Sequence, residues 1–297
     1  MTEPRITLRS LGKQLFWASR PISWINTAYP FAMAYWLGSK QLDLTFFVGT
    51  VFFLIPYNLL MYGINDVFDY ESDLRNPRKG GIEGSVLHPN WHRPTLLVSF
   101  LLPIPFLAYL LWAGTLASGF WLALFVFTVI AYSAKGMRFK EKPLLDSITS
   151  ASHFVGPMIV GLAMAGVSLL SPDALLVIGA FTLWGMASHA FGAVQDIAAD
   201  REGKIASIAT AFGARGTSRF ALWCYALAGL LMLAGSWPLP LAAIAAVPYL
   251  WVVWPFRNLS DADCEKANNG WRRFIWLNFF AGFWVTMLII LAQTLAA

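Results

Sequence analysis

Charge is what this chain has least of. Asp, Glu, Lys and Arg together make up 12% of 297 residues, against about a quarter in a soluble domain. With 58% hydrophobic residues and a mean hydropathy of +0.59, that scarcity argues against a soluble globular enzyme and for a membrane protein. Cysteine is nearly absent as well. Cys224 and Cys264 stand alone, with no CxxC pair and no His at ligand spacing, so they read as packing residues rather than as a redox or metal pair. No basic run or arm exists, so the net charge of +5 gives no reason to expect a nucleic-acid partner. No small-residue cleavage pattern follows the first apolar segment, which is also too long for a signal-peptide core; it is expected to stay as an anchor.

What the chain has instead is long apolar runs. Stretches of roughly 17–25 residues suit helical crossings of a bilayer, and nine are found, about 20–38, 44–64, 95–113, 118–134, 147–169, 174–195, 218–236, 239–256 and 273–295. Pro30, Pro56, Pro105, Pro157 and Pro248 inside them predict kinks. The expected fold is all-α and polytopic. Of the 21 Lys and Arg, all but Lys40 fall on one side of this alternation. The positive-inside rule then places the N-terminus in the cytoplasm of a cell-membrane protein and the C-terminus outside. The acidic residues share that face apart from Asp43 and Asp173, which topology does not require, so the function is expected there.

Two acidic clusters stand out on the cytoplasmic side. Asn65-Asp66-Val67-Phe68-Asp69-Tyr70-Glu71-Ser72-Asp73 closes the second span. On a continuous helix Asn65, Asp69 and Asp73 would lie within about 40° of one stripe, with Asp66 beside them. Asp196 and Asp200 repeat the four-residue spacing at the end of the sixth span. Solvated helix ends are the plain reading of such acids. Two clusters, both at C-terminal helix ends that disfavour anions, point to bound cations. The hard, oxygen-seeking candidate is Mg²⁺, shared with a phosphate-rich substrate. Each cluster follows the second helix of a four-helix set, which suggests two related halves, a ninth helix and one site between the halves. The loops 65–94 and 196–217 would form its mouth, within a single domain over 1–297. Arg20, Arg75, Arg138, Lys140 and Lys204 are candidates for the remaining phosphate oxygens, although each alone could be an interfacial anchor. His153, His189, Asn26 and Asn58 lie inside spans, where a polar residue either lines a cavity or bonds across helices.

These residues resemble a known family. NDVFDYESD followed by LRNPRK is similar to the NDxxDxxxD signature of the UbiA superfamily of intramembrane prenyltransferases. DIAADREGKIAS is similar to its second DxxxD motif, and YSAKGMRFKEKP to its loop between the fourth and fifth helices. The likeness extends over nearly the whole chain and includes Arg20-Pro21 before the first span. It implies nine helices around a central cavity. It also implies Mg²⁺ held by Asn65, Asp66, Asp69, Asp73, Asp196 and Asp200, with Asp69, Asp73, Asp196 and Asp200 essential to catalysis. Within the superfamily the wording NDVFDYESDLRNPRKGG is most similar to lycopene elongases of carotenoid biosynthesis, which implies dimethylallyl diphosphate as donor and lycopene as acceptor. Aromatic acceptors of quinone or chlorophyll pathways remain a rival, and a transporter with an acidic ion site a more distant one. One departure is Gly192, where many members carry a further acid one turn before the second motif.

Overall fold

The computed structural model describes residues 7–74 and 86–296, and among them every regular element is a helix. A backbone without water must satisfy its polar groups internally, and helices do so within one segment. The chain divides into two compact units, Met1–Phe139 with His153–Ser168, and Lys140–Ser152 with Leu169–Ala297.

The first unit opens with α1 (Leu8–Ala18), started by Thr7 and Ser10, whose side chains each accept the other's backbone N–H. Arg20 then turns the chain in the left-handed region (φ 50), and Pro21 opens a 3₁₀ turn, Pro21–Ser23, into α2 (Trp24–Ser39). The second expected span is two helices, α3 (Leu44–Leu54) and α4 (Pro56–Phe68), because Pro56 has no N–H to carry the ladder through. Carbonyls near that break are recaptured by side chains. Asn58 Nδ2 donates to the oxygens of Phe53 (2.9 Å) and Leu54 (3.1 Å), and Thr27 Oγ1 donates to that of Phe53 at 2.6 Å.

A single turn, α5 (Tyr70–Asp73), follows α4. The third span is α6 (His92–Leu101) and α7 (Pro103–Ala113), broken at Pro103 rather than Pro105, and the fourth is α8 (Leu116–Ser133). Gly63 lets α4 lie close on α6: a Cβ there would stand 2.4 Å from Ser99 Oγ, which donates to Leu59 O at 3.1 Å. The unit is completed by the part of α9 (Leu145–Met164) from His153 onward.

The first turns of α9 belong to the second unit. Gly185 of α10 (Pro172–Val194) packs against them, where a Cβ would meet Ala151 at 2.8 Å. Then come α11 (Ile197–Glu202) and α12 (Ile208–Leu233), capped by Ser207 and kinked at Gly213 (φ 69, ψ 170). The seventh span therefore starts at Ile208 and not near 218, and Arg215, inside the expected loop 196–217, rides on α12. A 3₁₀ stretch, Leu239–Ala245, leads into α13 (Ala246–Val253). Another, Asp261–Ala267, leads through α14 (Asn268–Trp271) to α15 (Phe274–Ala296). Tyr225 stacks on Tyr249 at 5.0 Å and Phe191 on Phe274 at 5.5 Å. Cys224 and Cys264 are buried in the same cluster, as packing residues.

Among the described residues, eight helices are long and apolar enough to cross a membrane. The first expected span, 20–38, corresponds to α2, whose 16 residues fall short of that length on their own.

Candidate active site

The first acidic stretch does not ride one continuous helix. Asp69 caps α4 with φ −101 and ψ 2, and α5 takes over at Tyr70. Helical backbone bonds survive the break: Asp69 N–H reaches Asn65 O at 2.9 Å and Asp73 N–H reaches Asp69 O at 2.8 Å. The four-residue rhythm read from the sequence is therefore kept. Asp66 is 1% exposed and Asp73 5%, and burying a bare carboxylate is costly unless it is paired. Arg20 Nη2 donates to Asp66 Oδ1 at 2.8 Å while its guanidinium lies 4.4 Å from the Tyr62 ring centroid. Arg138 Nη2 lies 3.5 Å from Asp69 Oδ1, and its Nη1 donates to Phe68 O at 3.4 Å. Ser133 Oγ donates to Asn65 Oδ1 at 2.9 Å. Two candidate phosphate-binding cations thus converge on the first motif. The Arg20 Nε–H is buried and meets no acceptor among the described residues.

In the second unit α10 stops at Val194, Asp196 is the N-cap of α11, and Asp200 falls in the first turn of that helix. This corrects the expectation that both clusters close C-terminal helix ends: Asp200 sits where a helix dipole favours an anion. Asp200 N–H donates to Asp196 O at 2.8 Å, and Ser207 Oγ donates to Asp200 Oδ2 at 3.4 Å. Arg201 binds Asp261 Oδ2 at 2.7 Å, and the Ala214 N–H donates to Asp261 Oδ1 at 2.7 Å. That N–H and the Arg201 hydrogen bond hold the Asp261 carboxyl below the usual carboxylate range.

Lys204 is exposed and follows α11, and Lys140 lies in the 3₁₀ turn Phe139–Glu141. Arg75 lies outside the described residues. Among the described residues, Arg20, Arg138 and Lys204 are three of the five non-glycine residues with positive φ, the others being Lys40 and Leu144. Such strain gathers at functional sites, and nothing in the sequence announced it. Asn26 is half-buried in the opening turn of α2. The Asn58 amide is engaged at the Pro56 break. His153 packs edge-on against Tyr132, centroids 5.1 Å apart. His189 Nε2 lies 3.5 Å from Asp146 Oδ2. Sequence reasoning missed Asp146, Ser133 and Asp261; an Asp-Ser pair at the mouth of a span was the one available signal for Asp146.

The donor set of the two motifs is all oxygen, the set a hard cation such as Mg²⁺ takes. Among the described residues no three His, Cys, Asp or Glu side chains gather within reach of one ion. Mg²⁺ is commonly held by one or two carboxylates, with waters and substrate phosphates supplying the rest, so this donor set fits it.

The UbiA prenyltransferase family profile matches residues 27–280. The chain belongs to the UbiA prenyltransferase family. This prenyltransferase is 51% identical over 275 residues to the lycopene elongase/hydratase of Corynebacterium glutamicum (strain ATCC 13032), covering 92% of the chain and 95% of that relative. It is 56% identical over 277 residues, 93% of the chain, to the C(50) beta-cyclic carotenoids biosynthesis protein LbtBC of Dietzia sp. (strain CQ4), of whose length it spans 64%. A UbiA homolog from Archaeoglobus fulgidus bound to DMAPP and Mg²⁺ shares the fold with a TM-score of 0.63 at 18% identity, covering 90% of this chain and 98% of that one. The apo structure of a homolog from Aeropyrum pernix K1 gives 0.64 at 19% identity, covering 92% and 98%.

The departure at Gly192 has a local cause in the prenyltransferase. A Cβ there would stand 3.0 Å from two carbons of the Trp271 ring. The indole fills the space that a side chain at 192 would need.

Proposed function

We propose that this prenyltransferase moves the five-carbon group of dimethylallyl diphosphate onto a terminal double bond of lycopene, in long-chain carotenoid biosynthesis. The observation that carries the reading is the interleaving of charge at the first motif. Arg20 and Arg138 already sit on Asp66 and Asp69, and the buried Arg20 Nε–H is a donor without an acceptor among the described residues. A diphosphate oxygen is the acceptor it suits. The choice of lycopene is supported by the 51% identity to a lycopene elongase/hydratase over nearly the full length of both chains.

Asn65, Asp66, Asp69, Asp73, Asp196 and Asp200 would hold Mg²⁺, with Asp69, Asp73, Asp196 and Asp200 the residues turnover cannot lose. When bound, Mg²⁺ supplies positive charge to the diphosphate oxygens as the allylic C–O bond breaks. Arg20, Arg75, Arg138, Lys140 and Lys204 take the remaining oxygens. A guanidinium fixed in place needs no reorganisation as negative charge grows there, so it favours the transition state over bound substrate. The diphosphate leaves with the bonding electron pair, and the lycopene double bond supplies the pair for the new C–C bond. The resulting carbocation ends by losing a proton or adding water, and apolar walls keep stray water away until then. In this reading the chain acts as one domain of nine spans in two related halves. The N-terminus and both motifs face the cytoplasm, and the C-terminus lies outside.

Membranes from a lycopene-accumulating host, given labelled dimethylallyl diphosphate and Mg²⁺, should yield lycopene extended by one and then two five-carbon units on mass spectrometry. Chelation of the metal, Asp69→Ala and Asp196→Ala should each abolish the product, with both variants still present in the membrane fraction. Turnover of 4-hydroxybenzoate in place of lycopene would overturn the acceptor. Wild-type rates from either variant would overturn the site.

A further inference from the structure

The carboxylate of Asp146, 0% exposed in the first turn of α9, belongs to neither acidic motif. It accepts the Ser147 N–H at 2.6 Å and Ser147 Oγ–H at 3.2 Å on Oδ1. On Oδ2 it accepts the Ile208 N–H, also at 2.6 Å, with His189 Nε2 3.5 Å away. One buried anion thus joins the opening turns of α9 and α12 beside a histidine of α10, all within the second unit. Free N–H groups at two helix starts are the natural partners of such a charge.

The place where it grips α12 matters. Ile208 is the first residue of α12, and Ser207 just before it makes the capping contact with Thr210 N–H at 3.2 Å. That leaves the single Ser207 hydroxyl proton for Asp200 Oδ2, 3.4 Å away. The intervening segment folds back on itself at its near end, where the Ile205 N–H donates to Asp200 O at 2.8 Å. Its far end is pinned by Asp146. An α12 start cut loose from Asp146 would carry Ser207 away from the Asp200 carboxylate.

We propose that Asp146 is a positioning residue for the second acidic motif: it fixes the start of α12 so that Ser207 holds the Asp200 carboxylate in the orientation that receives a divalent cation. The proposal rests on Asp200 being a metal ligand, as put forward above. Removing a group that orients a ligand from behind typically costs about 10–100-fold in metal affinity or activity.

The test is Mn²⁺ titration, by the loss of its free-ion paramagnetic resonance signal, of full-length metal-free protein in detergent, run beside the Mg²⁺ dependence of turnover. Asp146→Ala and Ser207→Ala should each weaken Mn²⁺ binding by about tenfold and raise half-saturating Mg²⁺ by a similar factor, with little change in the maximal rate at saturating metal. Asp146→Asn keeps an oxygen for the Ile208 N–H, and Ser207→Thr keeps the hydroxyl; both should return most of the affinity. Ser207→Ala leaves the buried anion intact, so it decides the matter should Asp146→Ala fail to fold: wild-type Mn²⁺ affinity in Ser207→Ala overturns the proposal. Asp200→Asn separates the two layers. If it too binds Mn²⁺ as wild type does, the ligand assignment itself falls; if it loses binding while Ser207→Ala does not, only the positioning role falls.

Discussion

Arg20 shows how much one residue does at the first motif. Its backbone is held at φ 50, its guanidinium caps the Tyr62 ring, and one nitrogen neutralises a carboxylate that is almost wholly out of water. Removing one partner of a buried pair leaves a bare charge, which typically costs about 3–5 kcal/mol. Arg20→Ala should therefore lower the thermal midpoint of the detergent-solubilised protein, followed by tryptophan fluorescence. Adding Asp66→Asn to that variant removes the stranded charge and should recover most of the loss. Equal midpoints for the single and double variants would show that Arg20 is not what holds the Asp66 charge. The same pair gives a resting arrangement for the site: a cation already lies where the carboxylate would otherwise repel its neighbours. Asn65, Asp66, Asp69 and Asp73 were legible as a cluster from their spacing. That Arg20 and Arg138 are their partners was not, because Arg20 lies 46 residues from Asp66 along the chain.

Among the elements, the junction of α3 and α4 is the clearest case of a sequence feature and its repair. Pro56 announced a kink. It did not announce that Asn58 and Thr27 would bond each other at 2.7 Å and share the Phe53 carbonyl. An unmet carbonyl in an apolar interior costs about 1–3 kcal/mol, so Asn58→Ala should destabilise by about that amount in the same thermal assay. Thr27→Val removes the other donor to the Phe53 carbonyl, so combined with Asn58→Ala it should cost more than the two single changes summed; a strictly additive pair would refute the sharing. The helix ends around the second motif teach the converse. Asp196 and Asp200 were expected at the end of the sixth span, yet the chain turns at Gln195 and begins a six-residue helix with them. Periodicity carries no information about where a helix stops when the next one starts within a residue or two.

Across the whole molecule, the distribution of Lys and Arg requires an odd number of crossings if the termini lie on opposite sides. Eight helices meet the length and apolarity of a span among the described residues, so under the proposed topology α2 would be the ninth. Its 16 residues rise about 24 Å at 1.5 Å each. The 3₁₀ turn Pro21–Ser23 ahead of it adds about 6 Å at the longer rise of that helix. Together they match a hydrocarbon core of about 30 Å. A C-terminal alkaline phosphatase fusion, active only outside the cytoplasm, should therefore be active, and a C-terminal green fluorescent protein fusion dark. The opposite pair of results would mean an even count and would remove α2 from the list of spans.

Composition and order of residues alone settled that the chain is helical and membrane-embedded, which residues are the acidic motifs and which family they resemble. Those properties follow from apolar run length, from the four-residue helical spacing and from the wording of contiguous stretches, all local along the chain. Tertiary structure alone decided which cation lies on which acid, that Trp271 fills the space beside Gly192, and that Asp146 ties the starts of α9 and α12 together. Each of these joins residues tens of positions apart, and such a contact is fixed by how helices pack rather than by any local run of residues.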